Sequence, residues 1–179
     1  IQDNKCLGII VNNSDEHLAD AVILAAGHSA RDIFYLLHKR GVKIENKPFA
    51  LGVRAEHPQA LIDEIQYRQN PRSEYLPAAS YKLATQVLGR GVYSFCMCPG
   101  GLIVPSATAP GEIVVNGMSM SRRDSEFANS GIVVSVEEED LKEFDSHGEF
   151  RGLEFQKSVE KKFFEEGDGS QKAPAQRMT

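Results

Sequence analysis

The apolar positions fall into two regimes. Up to Gly41 they form a continuous run and a helical stripe; beyond it they come as short stretches broken by glycine and proline. Cys6-Leu7-Gly8-Ile9-Ile10-Val11 reads as a strand, turned by Asn12-Asn13-Ser14-Asp15. The run Ala21 to Ala26 lacks alternation, which suits a strand buried on both faces of a layered sheet. It stops at Gly27 and leads directly into a helix. Ser29, with Asp32 three residues on, predicts a start like a capping box, although Asp is shorter than the preferred Glu. Ile33, Phe34, Leu36 and Leu37 form the core stripe of that helix. Lys39 and Arg40 suit its C-terminal dipole, and Gly41 supplies a left-handed close.

After Gly41 the pattern turns to β. Strands are predicted at Phe49 to Glu56, Tyr81 to Val87, Val92 to Met97, Gly101 to Val104, Glu112 to Asn116 and Ile132 to Val136. His57-Pro58 opens a short helix around Ala60 to Gln66, and residues 68–78 form a polar loop with two prolines. Glu137 to Phe144 and Leu153 to Glu166 read as helices, and the last dozen residues as a loop. Closely spaced short strands with Gly and Pro between them indicate an antiparallel sheet or small barrel. The expectation is an α+β fold: a parallel βα stub over 1–41, then a mostly antiparallel unit with flanking helices over 42–179.

Composition narrows the function. The 179 residues are 41% hydrophobic and 25% charged, as in ordinary globular proteins, and no apolar run approaches the ~18 residues of a membrane span. Residues 1–136 carry 13 acidic and 13 basic side chains, and the tail beyond them carries the whole net charge of −5. Without a basic stripe, nucleic-acid binding is disfavoured. Three cysteines, an odd number, argue against a disulfide framework and for a reducing compartment, by default the cytoplasm. The absence of an initiator Met predicts a piece of a longer protein.

Three stretches have residues suited to chemistry. Gly27, His28 and Ser29 end an apolar strand and enter a helix, where free backbone N–H groups receive nucleotides and other anions; an ordinary βα turn has the same spacing. In Cys96-Met97-Cys98-Pro99-Gly100-Gly101 a period of 2 puts both thiols on one side of a strand. Their Cα atoms would lie about 6.6 Å apart, at the outer edge of disulfide geometry. This is not Cys-x-x-Cys spacing, and no histidine stands at ligand spacing, so no metal site is expected. Either the cysteines are buried and free, or they take part in thiol redox chemistry. The Pro99-Gly100-Gly101 backbone admits a flat ligand or another chain segment. Finally, Asn116, Gly117, Met118 and Ser119, running on through Arg122 and Arg123 to Asn129-Ser130-Gly131, predict a long polar loop. Its arginines either grip a carboxylate or phosphate or sit solvated beside Asp124 and Glu126.

Here the residues resemble a known family. Val22 to Asp32 is similar to the second flavin motif of two-dinucleotide-fold flavoproteins. More of the chain resembles a bacterial family of uncharacterised FAD-dependent dehydrogenases, among the NAD(P)/FAD-dependent oxidoreductase-like flavoproteins. The matching blocks are Gly27 to Asp32, Ala50 to Pro58, Ser80 to Leu83 and Phe95-Cys96-Met97-Cys98-Pro99-Gly100-Gly101. They continue with Asn116 to Ser119, Arg123, Ala128 to Ser130 and Ala173 to Gln176. The resemblance implies an FAD-dependent parent whose pyrophosphate-binding Gly-x-Gly-x-x-Gly turn and closing flavin segment lie outside these residues. This chain would then be its central fragment: a substrate or cap domain with a flavin-domain stub, inactive alone and partnered by the rest of its own polypeptide and an unknown small-molecule substrate. Gly27, His28 and Ser29 would line FAD, and Cys96, Cys98, Pro99, Gly100, Gly101, Asn116, Gly117, Met118, Ser119 and Arg123 would face flavin or substrate. A different reading is a non-catalytic binding module acting through residues 116–131. The exposed strand edges of a stub would also favour self-association.

Overall fold

The computed structural model describes residues 1–3 and 5–178. They divide into two compact units, Ile1–Glu45 and a second that begins at Asn46. In the first, β1 (Gly8–Val11) and β2 (Asp15–Leu18) form an antiparallel hairpin with Gly8 opposite Leu18. Its turn is made by Asn12 and Asn13 at φ 51° and 61°, a left-handed region that Asn tolerates. Helix α1 spans Arg31–Lys39, and Gly41 follows it at φ 78°.

Two expectations about this unit fail. Ala21 to Ala26 is not a strand, and Ile23 within it is 91% exposed. An apolar run becomes a buried strand only when neighbours supply ladder hydrogen bonds and cover both faces; no described residue pairs with this one. The strand pairing among the described residues of this unit is the antiparallel β1–β2 hairpin. Nor does Ser29 cap α1: Ala30 holds the cap position without a side-chain bond, while Ser29 Oγ lies 3.3 Å from His28 Nε2.

The second unit contains β3 (Phe49–Pro58), α2 (Gln59–Tyr67), β4 (Ala84–Val87), β5 (Arg90–Cys98), β6 (Gly101–Ser106), β7 (Val114–Ser119) and β8 (Phe127–Val136). A 3₁₀ stretch, Glu138–Phe150, breaks its helical dihedrals at Gly148, and α3 (Arg151–Glu166) follows. Four strands form one antiparallel sheet in the order β3-β8-β5-β4, and β6–β7 is a separate hairpin. The architecture is α+β and antiparallel, as the strand spacing indicated.

Strand β8 corrects the reading of residues 116–131 as a long loop. It pairs with β3 over ten positions, from Phe49 opposite Val136 to Pro58 opposite Phe127. Asn116 to Ser119 belong to β7 and Asn129 to Gly131 to β8, so only residues 120–126 connect strands. Polar composition misled here because the ladder is made by backbone groups, which Asn and Ser possess like any residue.

The register assigns faces. Phe49, Leu51, Val53, Ala55 and His57 share one face with Val136, Val134, Ile132, Ser130 and Ala128. The Phe49 end of that face is covered by α3 and the 3₁₀ stretch: the Phe155 ring lies tilted at 6.3 Å from Phe49 and edge-to-face at 5.7 Å from Phe144, beside buried Leu141. Glu137 and Asp140 cap the 3₁₀ stretch reciprocally, so the acidic run is a helical N-terminus, as its position implied. Arg90 on β5 reaches Asp140 with Nη2 to Oδ1 at 2.9 Å. The opposite face presents Arg54, Asn129, Phe95 and Cys98. No helix among the described residues is long and apolar enough to cross a membrane.

Candidate functional site

The second face of the sheet, at the end where β5 leaves it, is built around a defect in pairing. Phe95 is opposite Gly131 and Cys98 opposite Asn129, so three steps along β5 match two along β8. The extra residue is a bulge. Cys96 absorbs it at φ 47°, a left-handed conformation rare for a residue with a Cβ. The simple alternation that would set both thiols alike is thereby lost: Cys96 is exposed and Cys98 buried, and both are free, as is exposed Cys6.

Arg54 on β3 secures the bulge. Its Nε donates to Asn129 Oδ1 at 2.9 Å, and Nη2 donates to the Cys96 carbonyl and lies 3.7 Å from Cys98 Sγ. Burial and, next, the neighbouring Cys96 thiol push the Cys98 thiol up, while the Arg54 guanidinium pulls it the other way. Asn129 is fully buried, and its Nδ2 has no partner among the described residues. Gly117 of β7 lies over this pair, where a Cβ would overlap Arg54 Nη2 and Asn129 Oδ1.

The Pro99-Gly100-Gly101 turn is fixed from the other side. The Gly100 N–H donates to Gln59 Oε1 at 2.7 Å, at the first residue of α2. Gln59 Nε2 donates to the Ala79 carbonyl at 3.0 Å and to Asp63 Oδ1 at 2.8 Å. Asp63 also accepts from the Ala79 N–H at 2.8 Å and from Arg72 Nη1 at 2.7 Å. Burial opposes the charge on Asp63, yet the Ala79 N–H, Gln59 amide and Arg72 guanidinium together hold its carboxyl below the usual range. Ser119 Oγ donates to the Pro99 carbonyl at 3.0 Å, and the Arg123 carbonyl fills the space a Gly100 Cβ would need.

Cys96, Cys98, Pro99, Gly100, Gly101, Gly117, Ser119 and the Arg123 backbone thus converge at one corner. The space left by the two adjacent glycines admits the chain itself: Arg123 meets Gly100, and the Met118 carbonyl meets Gly101. Met118 and Asn116 are in the same strand with exposed side chains, and the Arg123 side chain is exposed as well. Gly27, His28 and Ser29 lie in the first unit and are exposed there. The residues that hold the corner, Arg54, Gln59, Asp63 and Asn129, carried weak sequence signals. A lone arginine on an apolar strand and a glutamine beginning a helix after Pro58 were the available clues.

Close by, His57 packs against Tyr81 with ring centroids 5.5 Å apart. Burial lowers the His57 pKa against a smaller upward pull from Glu56, and Nε2 is buried with no partner among the described residues. Burial raises Tyr81, with Ser130 and Arg54 opposing. Two depressions, of about 30 and 330 Å³, lie elsewhere, around Asn46 and Leu141 and around Asp145 and Arg151. Among the described residues no cluster of three metal-ligating side chains occurs.

These features define an antiparallel α+β domain with two thiols and a cationic clamp at the end of a bulged strand. Residues 48–179 match the family described as FAD-dependent protein, C-terminal domain-like. The chain belongs to that family. It is also 46% identical over 177 residues to an uncharacterized protein of Clostridium beijerinckii (strain ATCC 51743 / NCIMB 8052). That similarity covers 98% of this chain and 32% of the relative, so the chain spans about a third of the relative's length.

Proposed function

We propose that this chain is the middle, substrate-side or cap domain of an FAD-dependent oxidoreductase, a dehydrogenase that passes hydride between a small molecule and flavin, and is inactive by itself. The observation that carries the reading is the convergence, in a member of an FAD-dependent family, of Cys96, Cys98, Pro99–Gly101, Gly117 and Ser119 on one internally fixed corner. A rigid backbone that holds exposed Cys96 and Met118 in place suits one wall of a flavin or substrate site. These residues fit the cofactor only as a wall, because the spaces beside Gly100 and Gly101 are filled by the chain's own carbonyls and that beside Gly117 by the Arg54 and Asn129 side chains. When bound, FAD would supply the redox chemistry. This domain's share is to position substrate and exclude water.

The partner in this reading is the rest of the chain's own polypeptide. Exposed Tyr93 and Phe95 on the second sheet face, and the uncovered Ala21–Ala26 run, support it. The same surfaces predict self-association of the isolated chain, which size exclusion at two concentrations would detect. Three free cysteines favour a cytoplasmic setting.

The test is the visible spectrum of the full-length polypeptide beside this chain, each incubated with FAD and desalted. Flavin retained by the full-length protein alone is the expected result. Flavin retained by neither would remove the enzyme reading and leave a binding domain.

A further inference from the structure

We propose that Cys96 and Cys98 form a redox-active dithiol that closes reversibly into an intrachain disulfide by exchange with a small-molecule disulfide. Two cysteines separated by one residue in a regular strand stand too far apart for easy bridging. Here the strand is not regular: a bulge falls between Phe95 and Cys98, and a bulge bends its strand. The left-handed turn at Cys96 bends the strand between them, and the Cys98 thiol folds back to donate to the Cys96 carbonyl at 3.4 Å.

Their unequal exposure assigns different roles. Exposed Cys96 is the entry thiol: its thiolate attacks one sulfur of the small disulfide, whose S–S bond breaks and releases one thiol. Buried Cys98 then gives up its proton, and its thiolate attacks Cys96 Sγ in the mixed disulfide. The second small thiol leaves as the protein disulfide forms. The protein loses two electrons and two protons, and the small disulfide becomes two thiols. Arg54 Nη2, 3.7 Å from Cys98 Sγ, is positioned to stabilise the attacking thiolate, while its contact with the Cys96 carbonyl holds the bulge. The reaction needs no flavin and stands apart from the oxidoreductase proposal.

Mixtures of reduced and oxidised glutathione test it on the whole chain, followed by alkylation, trypsin and mass spectrometry. Residues 91–122 form a single tryptic peptide that contains both cysteines, and Cys6 falls on another. As the oxidised fraction rises, the peptide should pass from doubly alkylated to unalkylated and two hydrogens lighter. Cys98→Ser should stop at a glutathione adduct on Cys96, and Cys96→Ser should leave Cys98 unmodified in the folded chain, with circular dichroism confirming both folds. A doubly alkylated peptide at the most oxidising ratio, two separate adducts, or a bridge only between chains would each overturn the proposal.

Discussion

Gly100 and Gln59, 41 positions apart, are joined by a backbone-to-side-chain hydrogen bond of 2.7 Å that fixes the turn after β5 to the first residue of α2. Gln59 is 5% exposed, so water cannot replace either partner. Through Asp63 and the Ala79 backbone the same side chain anchors the segment that follows the polar loop. One buried glutamine therefore connects three separate stretches of chain.

Replacing Gln59 with Leu leaves the Gly100 N–H and the Ala79 carbonyl buried without their partner. The expected cost is about 1–3 kcal/mol for each buried group left unsatisfied. Urea unfolding would measure it. A midpoint equal to that of the unaltered chain would mean the turn is held by other contacts.

Gly100→Ala probes the turn from the backbone. Gly100 has φ 52°, and a Cβ there meets the Arg123 carbonyl. The left-handed conformation alone costs an ordinary residue on the order of 1–3 kcal/mol, and displacing the backbone of residue 123 adds to it. A large fall in unfolding midpoint is expected, with altered tryptic cleavage after Arg123 as a local sign.

Arg54→Lys keeps the charge and removes the fork. Lysine cannot bond Asn129 and the Cys96 carbonyl together with the same geometry. A loss of about 1–3 kcal/mol is expected, with faster alkylation of Cys98 as the bulge loosens. Unchanged stability and unchanged Cys98 reactivity would show that the clamp is dispensable.

The acid limb of stability has identifiable contributors. The Arg90 guanidinium holds the Asp140 carboxyl down at about 2, helped by the Glu137 N–H, and Asp63 is also lowered. A carboxylate depressed in the folded state contributes stability above its unfolded pKa of about 3.9, and that contribution is lost as pH falls toward the folded value. Stability should therefore drop between about pH 4 and 2, and Asp140→Asn should flatten the slope. His57, lowered by burial, acts with the same sign below its unfolded pKa of about 6.5. His57→Gln should remove a shallower step on that side. Chemical denaturation at a series of pH values would resolve the two.

Much of the second unit was legible in the sequence because its signals are local. Gly and Pro punctuation between β-rich stretches located β3 to β6, and the acidic run marked a helical N-terminus; in the first unit, Gly41 likewise marked the end of α1. The Phe95–Gly101 string and the Asn116–Ser119 block were also visible as unusual residues, although nothing local said that they meet.

What tertiary structure decided is pairing and enclosure. Ala21–Ala26 has the composition of a buried strand, but burial is supplied by neighbours, and the described residues supply none. Asn129 and Ser130 look like loop residues, yet β3 and β5 draw them into the centre of the sheet, where Asn129 meets Arg54. The period-2 rule put Cys96 and Cys98 alike, and a one-residue mismatch against β8 set them apart. Composition and periodicity determine which segments can form strands and helices. Which strand lies beside which, and where an extra residue must bulge, depends on hydrogen bonds between residues tens of positions apart.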